Sequence, residues 1–342
     1  HHDARRQRQM CIRDRYPAFF DHNNDSLMDI VVGNFGYYEA SGSYTPGLAL
    51  FENQGTATAP AFKLITRDYA GLAGLGINAA VPTFGDLDDD GDLDMIVGDD
   101  GGDIHFFENI IGPGNVSALV LMAPNYFDID IGQFATPQLV DVNYEDLLDL
   151  VIGERNGNLN YYENQGTATA PSFTPLAQND FWGNIDVRSG SLNVGYSAPF
   201  LVQLPDSNVT NIFVGAFDGG FHVYEIDPDS IMSGTFPKIM DQYASMDEGE
   251  RANMQMADLN NDGALEMITG NYRGGVTLYR EGIPPSGISP TANPALSFDV
   301  YPVPASSTLF GKISSQNGQQ TRANLQMVDM LGNVVYESSI GL

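Results

Sequence analysis

Asp86-Leu87-Asp88-Asp89-Asp90-Gly91-Asp92-Leu93-Asp94, followed at once by Met95-Ile96-Val97-Gly98, is the stretch on which the fold turns. An aspartate opens an oxygen-rich loop, and a glycine twelve residues later closes an apolar run. The same frame recurs from Asp21 to Gly33, from Asp141 to Gly153 and from Asp258 to Gly270. A hard cation such as Ca²⁺ takes roughly six to eight oxygens, and a tight loop with carboxylates at alternate positions supplies them. One such loop is a solvated turn; four in register make a repeat architecture.

Periods of roughly 20–50 residues mark solenoids, propellers or arrays. Here glycines 33, 98, 153, 215 and 270 are spaced by 65, 55, 62 and 55 residues. The excess over a compact four-stranded blade lies in Gly/Ser/Asn-rich stretches that read as loops. A near-duplicate makes the repetition plain: Phe51-Glu52-Asn53-Gln54-Gly55-Thr56-Ala57-Thr58-Ala59-Pro60 recurs from Tyr162 to Pro171 with only the first residue changed.

Each unit runs through the same signals. A short apolar run comes first (Ala18–Phe20, Pro82–Phe84, Pro137–Val140, Ala198–Leu201), then the loop, then a buried-type strand such as Asp29–Gly33 or Asp149–Gly153. An alternating aromatic strand follows, as in Ile104–Glu108, Leu159–Glu163 and Phe221–Glu225, and Phe62–Thr66 exemplifies a weaker fourth strand. Short β-branched and aromatic runs bounded by turn residues are strand signals, and nowhere does a 3.6-residue period persist. The expected fold is therefore all-β, a β-propeller of four-stranded blades with five repeats visible. Should the chain lack further blades, an unclosed ring would expose sheet edges.

The chain of 342 residues is long enough for a sizeable core, and 42% hydrophobic with 11% aromatic content suits a globular β protein. A formal charge of −29 excludes nucleic acid as a partner, because phosphate binding needs clustered Lys and Arg. It also disfavours docking on anionic lipid. Surplus carboxylate is what a multi-calcium protein shows when counted without its metal; a generically acidic surface is the alternative. No apolar run approaches the roughly 18–20 residues of a membrane span.

Five of the 15 Lys and Arg residues fall within the first 15 positions, beside the single cysteine, Cys11. The stretch from Ala4 to Arg15 resembles a translated sequencing-adapter read-through, and residues 1–15 are set aside from the fold expectation; a native basic arm is the other option. On the first reading the native start is missing, and the lack of a signal peptide carries no information. Residues 16–342 contain no cysteine, so metal sites rather than disulfides are the expected staples.

Position by position, the second loop offers Asp86, Asp88 and Asp90, the turn glycine Gly91, the backbone carbonyl of Asp92, and Asp94. The first offers Asp21, Asn23, Asp25 and Asp29; the third Asp141, Asn143, Glu145 and Asp149; the fifth Asp258, Asn260, Asp262 and Glu266. The fourth unit reads Gln203, Pro205, Ser207 and Asn211 at those places, so the blade frame persists where the acidic loop is lost. An EF-hand is excluded: the twelfth position from Asp86 is Val97, not a bidentate glutamate, and a strand follows instead of a helix. About four structural Ca²⁺ sites are expected.

The pattern Asp-x-Asp-x-Asp-Gly-x-x-Asp-hydrophobic-Val-Gly, followed by an aromatic strand ending Glu-Asn-x-Gly-Thr, resembles the FG-GAP/VCBS repeats of bacterial surface proteins. Distant relatives form the propeller of integrin α chains. The resemblance covers residues 16–282 and implies calcium bound in loops between blade strands. After a Pro-rich linker at 283–295, residues 296–342 are similar to the small β-sandwich sorting domain read by the type IX secretion system of Bacteroidota. The similarity rests on Tyr301-Pro302-Val303-Pro304, with Val303 where Asn is usual, and on Leu325–Tyr336; the unit is partial, since Leu342 precedes the expected final strands. It implies export by the secretion machinery, and a secreted or outer-surface location.

Catalytic signatures are scarce: there is no Gly-x-Ser-x-Gly elbow, no phosphate-binding Gly-Lys-Ser/Thr loop and no His-Glu-x-x-His. The glycines at 71, 74 and 76 read as an inter-blade loop, and His105 and His222 occupy a slot that Asn160 and Thr277 fill elsewhere. Tyr37, Tyr38 and Tyr44, in an apparent insertion from Asn34 to Pro46, and Trp182 are candidates to stack on sugars or anchor a protein, or else cap blade edges. The leading expectation is a non-enzymatic binding or adhesion module for glycan or protein. Alternatives are the propeller of a polysaccharide lyase, for which Arg155, Arg188, Arg251 and Arg273 are the candidate cations, and a passive spacer in a larger surface protein.

Overall fold

The computed structural model describes residues 13–38, 44–189, 193–204, 209–226, 231–232 and 234–279, together with four strands beyond residue 296. The chain forms two compact units, His1–Glu281 and Gly282–Leu342. The first is a β-propeller. Blade 1 consists of β1 (Arg13–Phe20), β2 (Asp29–Tyr38), β3 (Tyr44–Asn53) and β4 (Phe62–Thr66). Blade 2 holds β5 (Val81–Gly85), β6 (Asp94–Gly98), β7 (Ile104–Asn109) and β8 (Leu119–Ala123). Blade 3 holds β9 (Thr136–Val140), β10 (Asp149–Gly153), β11 (Leu159–Asn164) and β12 (Phe173–Asn179). In blade 4 are β13 (Ala198–Gln203), β14 (Thr210–Gly215), β15 (Phe221–Glu225) and β16 (Lys238–Met240). Blade 5 shows β17 (Asn253–Ala257), β18 (Glu266–Gly270) and β19 (Val276–Tyr279) among the described residues. Every pairing is antiparallel, each strand beside its neighbour in sequence.

The second strand of each blade is buried on both faces, which explains its unbroken apolar run. Successive side chains point to opposite faces of a sheet, so they serve two different interfaces. In β6, Met95 and Val97 join the core between blades 1 and 2, whereas Ile96 joins the core between blades 2 and 3. In β10, Leu150 and Ile152 face blade 2 and Val151 faces blade 4. Five hydrophobic clusters result, one at each blade-to-blade interface. The cluster between blades 5 and 1 is the smallest, with four buried members: Ile30, Val32, Ala49 and Ile268.

The five repeat glycines are the joints. Each ends a second strand, and a Cβ on Gly33, Gly98, Gly153, Gly215 or Gly270 would lie 1.8–2.3 Å from the carbonyl oxygen of Ala80, Ala135, Ser197, Ala252 or Arg15. Each of those carbonyls sits at the start of the next blade's first strand. The spacing seen in the sequence is thus the footprint of backbone-on-backbone packing. The last joint, Gly270 on Arg15, closes the ring. Arg15 N donates to Asn271 O at 3.1 Å, Asn253 Nδ2 donates to Arg15 O at 2.7 Å, and Phe19 N donates to Gln255 Oε1 at 2.9 Å. Five blades therefore close, and the open-ring possibility is corrected. The first strand also reaches back to Arg13, three residues into the segment set aside, because its pairing with β2 uses backbone amides whatever the side chains.

A second correction concerns residues 34–46. Outside residues 39–43, which lie beyond the described residues, they are strand: β2 and β3 continue past Asn34 as a long hairpin, with Tyr37 opposite Thr45 and Tyr38 opposite Tyr44 beyond a bulge. The repeated Gln-Gly-Thr-Ala-Thr-Ala-Pro segments form matching tight loops. Gln54 N donates to Ala61 O and Thr56 N to Ala59 O; Gln165 N donates to Ser172 O and Thr167 N to Ala170 O. Short 3₁₀ turns led by Tyr69, Tyr126, Trp182 and Tyr243 carry the chain between blades.

The second unit shows two antiparallel pairs, β20 (Ser297–Tyr301) with β21 (Phe310–Ser314), and β22 (Arg322–Val328) with β23 (Val334–Gly341). The linker at 283–295 and the Pro302-Val303-Pro304 motif lie outside the described residues.

Candidate metal centre

Each acidic loop joins the first strand of a blade to its second and takes one shape in blades 1, 2, 3 and 5. Its fourth residue is left-handed (Asn24, Asp89, Tyr144, Asn261), as is its sixth (Ser26, Gly91, Asp146, Gly263). That path points the sixth amide back at the first carboxylate. Ser26, Gly91, Asp146 and Gly263 donate to Oδ2 of Asp21, Asp86, Asp141 and Asp258 at 2.8, 3.0, 2.9 and 2.9 Å. The tight turn leaves the alternate side chains gathered on its inside.

In blade 2 the gathering is complete. Asp86, Asp88 and Asp90 bring one carboxylate oxygen each within 4.8 Å of one another. In the other loops an asparagine stands in the middle of this trio. Asn23 Nδ2 donates to Asp25 at 3.1 Å, Asn143 Nδ2 to Glu163 at 3.4 Å, and Asn260 Nδ2 to Glu266 at 2.5 Å. Asp262 and Glu145 hold the fifth position, with the Asp262 and Glu145 amides bonded back to Asp258 and Asp141.

The ninth position has a second duty that the sequence did not disclose. Asp29, Asp94, Asp149 and Glu266 are all buried. Their carboxylates accept the amide of the loop's second residue, from His22 (3.0 Å), Leu87 (3.2 Å), Val142 (3.2 Å) and Leu259 (2.8 Å). Three of them also accept the amide ending the third strand, from Asn53 (2.6 Å), Asn109 (2.9 Å) and Asn164 (2.8 Å). The same asparagines turn their Oδ1 to the next loop, where Ala61, Ala118 and Ser172 donate at 2.9 Å. The recurring Glu-Asn dipeptide is the signal that marked this strap. A carboxylate has about four lone-pair directions, so these bonds leave capacity toward the loop interior.

Burial pushes Asp94 up to about 7 and Asp29 and Asp149 up to about 6, with other carboxylates of the same loops adding to the rise. Asp88 and Asp92 are raised by burial and then by Asp90 and the other loop carboxylates. Asp86 Oδ1, both oxygens of Asp92 and Asn143 Oδ1 are buried without a hydrogen-bond partner. A cation is the group that satisfies acceptors of this kind, so the donor set fits a hard, oxygen-seeking ion.

The weaker candidates separate. Trp182 is not a surface platform: it is fully buried, stacks on Tyr161 at 5.1 Å, meets Phe236 edge-on at 4.9 Å, and donates Nε1–H to Ile231 O at 2.7 Å. Its indole joins blades 3 and 4. Tyr37 lies under the Arg67 guanidinium at 5.7 Å, and Tyr44 packs edge-on against Phe35 at 5.9 Å. His105 is buried with Nε2 3.2 Å from Asp99, joining β7 to the turn after β6.

Of the four arginines, Arg188 forks onto Asp186 and Arg155 donates to Gln133 at 2.9 Å. Arg251 is the one the tertiary fold treats specially. Its guanidinium lies 4.0, 4.5 and 4.6 Å from the ring centres of Tyr196, Phe134 and Tyr272, and it donates to Tyr196 Oη at 3.1 Å. Phe134, Tyr196 and Arg251 hold equivalent left-handed positions two residues before β9, β13 and β17. Three blades thus meet on one cation, at the opposite ends of the inner strands from the acidic loops. Arg251→Ala is expected to destabilise the propeller by about 1–3 kcal/mol, summing cation–π contacts; a urea midpoint unchanged from wild type would contradict that.

Repeated four-stranded blades, a closed ring and a recurrent acidic loop define a repeat β-propeller. A family model described as an FG-GAP-like repeat matches residues 17–97, from β1 to β6, and so spans the first two acidic loops. The third and fifth loops keep the same geometry beyond that match. No curated protein matches the chain. Among the described residues, no helix is long and apolar enough to cross a membrane.

Proposed function

We propose that the first unit is a calcium-stabilised binding module of a secreted or cell-surface protein, presenting its loops to a glycan or protein partner, with the C-terminal unit addressing export. The observation that carries the metal is the convergence of Asp86, Asp88 and Asp90 around an orphaned buried oxygen. Asp21, Asp25 and Asp29, then Asp141, Glu145 and Asp149, then Asp258, Asp262 and Glu266, with their asparagines Asn23, Asn143 and Asn260, would hold further ions in loops of the same shape. The ion's role is electrostatic: it offsets repulsion between carboxylates that the turn forces together.

Extracellular calcium modules bind with dissociation constants on the order of 10⁻⁴–10⁻³ M, so millimolar Ca²⁺ adds roughly 1 kcal/mol per site. Equilibrium dialysis at millimolar Ca²⁺ is expected to count close to four ions per chain, with a melting temperature several degrees above that in EGTA. No bound ion and no shift would mean that the loops are solvated turns.

A further inference from the structure

The acidic loops share a backbone but not a seventh residue. It is Leu27 in the first, Leu147 in the third and Ala264 in the fifth; only the second has a carboxylate there, Asp92. Ligation through the backbone carbonyl needs no particular side chain at this position, and an exposed aspartate would call for no explanation. Asp92, however, is 8% exposed, and neither of its oxygens has a hydrogen-bond partner. The segment between β7 and β8 covers it: Pro113 lies over Gly91, with its Cγ 3.6 Å from where a glycine Cβ would stand, and the Gly112 amide approaches the Asp92 carboxylate without closing a hydrogen bond.

A buried carboxylate left without partners costs several kcal/mol unless a counter-charge compensates it. The neighbours acting on Asp92 are Asp90, Asp88 and Asp86, all of the same sign. The loop thus concentrates five carboxylates, at 86, 88, 90, 92 and 94, where each of the others has three among these positions. Affinity in such sites rises with the charge count of the ligand set.

Building on the calcium reading above, we infer that the second loop is the high-affinity cation site of the propeller and that the Asp92 side chain, not only its backbone, confers that affinity. The other three loops then form a weaker class, filled at higher calcium. The propeller would hold one ion persistently and respond to external calcium through the rest.

The test is calorimetric titration of Ca²⁺ into the full chain, wild type against Asp92→Asn and Asp92→Leu, the latter placing the first and third loops' residue in the second. Wild type should show one tight ion and a weaker class. Both variants should lose at least about tenfold in the tight step and leave the weaker class unmoved, with far-ultraviolet circular dichroism reporting an intact fold. Asp90→Asn serves as the companion variant, since its exposed position keeps folding out of the comparison. If Asp90→Asn weakens the tight step and the Asp92 variants do not, the site stands and Asp92 is no part of it. Four indistinguishable ions in wild type would overturn the hierarchy. No binding at all would sink the calcium reading itself, a different result from either.

Discussion

Gly215→Ala is expected to abolish cooperative folding of the propeller or to destabilise it by at least about 3 kcal/mol. The added methyl would stand 2.0 Å from Ala252 O and 2.7 Å from Ala252 C. Both atoms belong to the backbone that starts β17, so relief requires blades 4 and 5 to separate. Separation would open the core around Phe213, Ala252, Met254 and Met267, and burying a single large apolar side chain is worth about 1.5–3 kcal/mol. Blade 4 is chosen because its loop carries Gln203, Pro205, Ser207 and Asn211 at the four ligand positions, so loss of a metal there cannot account for the outcome. Gly74→Ala is the control: nothing lies within 4 Å of the added carbon, and a change of less than about 0.5 kcal/mol is expected. Chemical denaturation followed by tyrosine and tryptophan fluorescence reports both. Wild-type stability in Gly215→Ala would refute the joint.

The second large effect is a pH dependence that calcium cancels. Asp29 and Asp149 are raised from 3.8 to about 6, and Asp94 from 3.8 to about 7. A raised carboxyl keeps its proton in the native state at pH values where the unfolded chain has released it. The native state then binds more protons, and stability falls as pH rises. The contribution is complete below about 3.8 and is lost as pH climbs through 6 and 7. Each tenfold change in proton affinity is worth about 1.4 kcal/mol. Discounted for solvent screening over the loops, the three together weaken the cation-free fold by about 3 kcal/mol across that window. In EGTA the denaturation midpoint should therefore drop from pH 4.5 to pH 7.5. With millimolar Ca²⁺ the drop should vanish, because the ion binds the deprotonated ligands and its gain grows with pH. A midpoint independent of pH in EGTA would show that these carboxylates ionise alike in folded and unfolded chains.

Much of the strand order was legible. Asp149–Gly153 and Phe221–Glu225 appear with the bounds read from the sequence, the first from its continuous apolar run, as a strand buried on both faces requires, and the second from its aromatic alternation. The weak Phe62–Thr66 is a strand too, exposed at the outer edge of its blade and pinned by β3. The stretch read as an insertion from Asn34 to Pro46 instead extends β2 to Tyr38 and starts β3 at Tyr44; the hairpin uses Gly36 in a bulge and packs Gly47 against the Arg67 carbonyl. Trp182 also departs from its reading. An isolated tryptophan between strands looks like a surface anchor until the neighbouring blade supplies Tyr161, Phe236 and the Ile231 carbonyl.

Sequence alone determined the repeat, its five visible units and the loop positions, because each depends on residues within one unit: short apolar and alternating runs, a spaced glycine and carboxylates two apart. Only the tertiary structure decided that the ring closes at five, that the spaced glycines are joints between blades, and that Asp29, Asp94 and Asp149 strap one strand to another. Those features depend on which residues lie against which far along the chain, from 15 residues apart for Asp94 and Asn109 to 238 for Asn253 and Arg15. No local pattern encodes such distances; they follow when five similar sheets, each with both faces to cover, must cover one another.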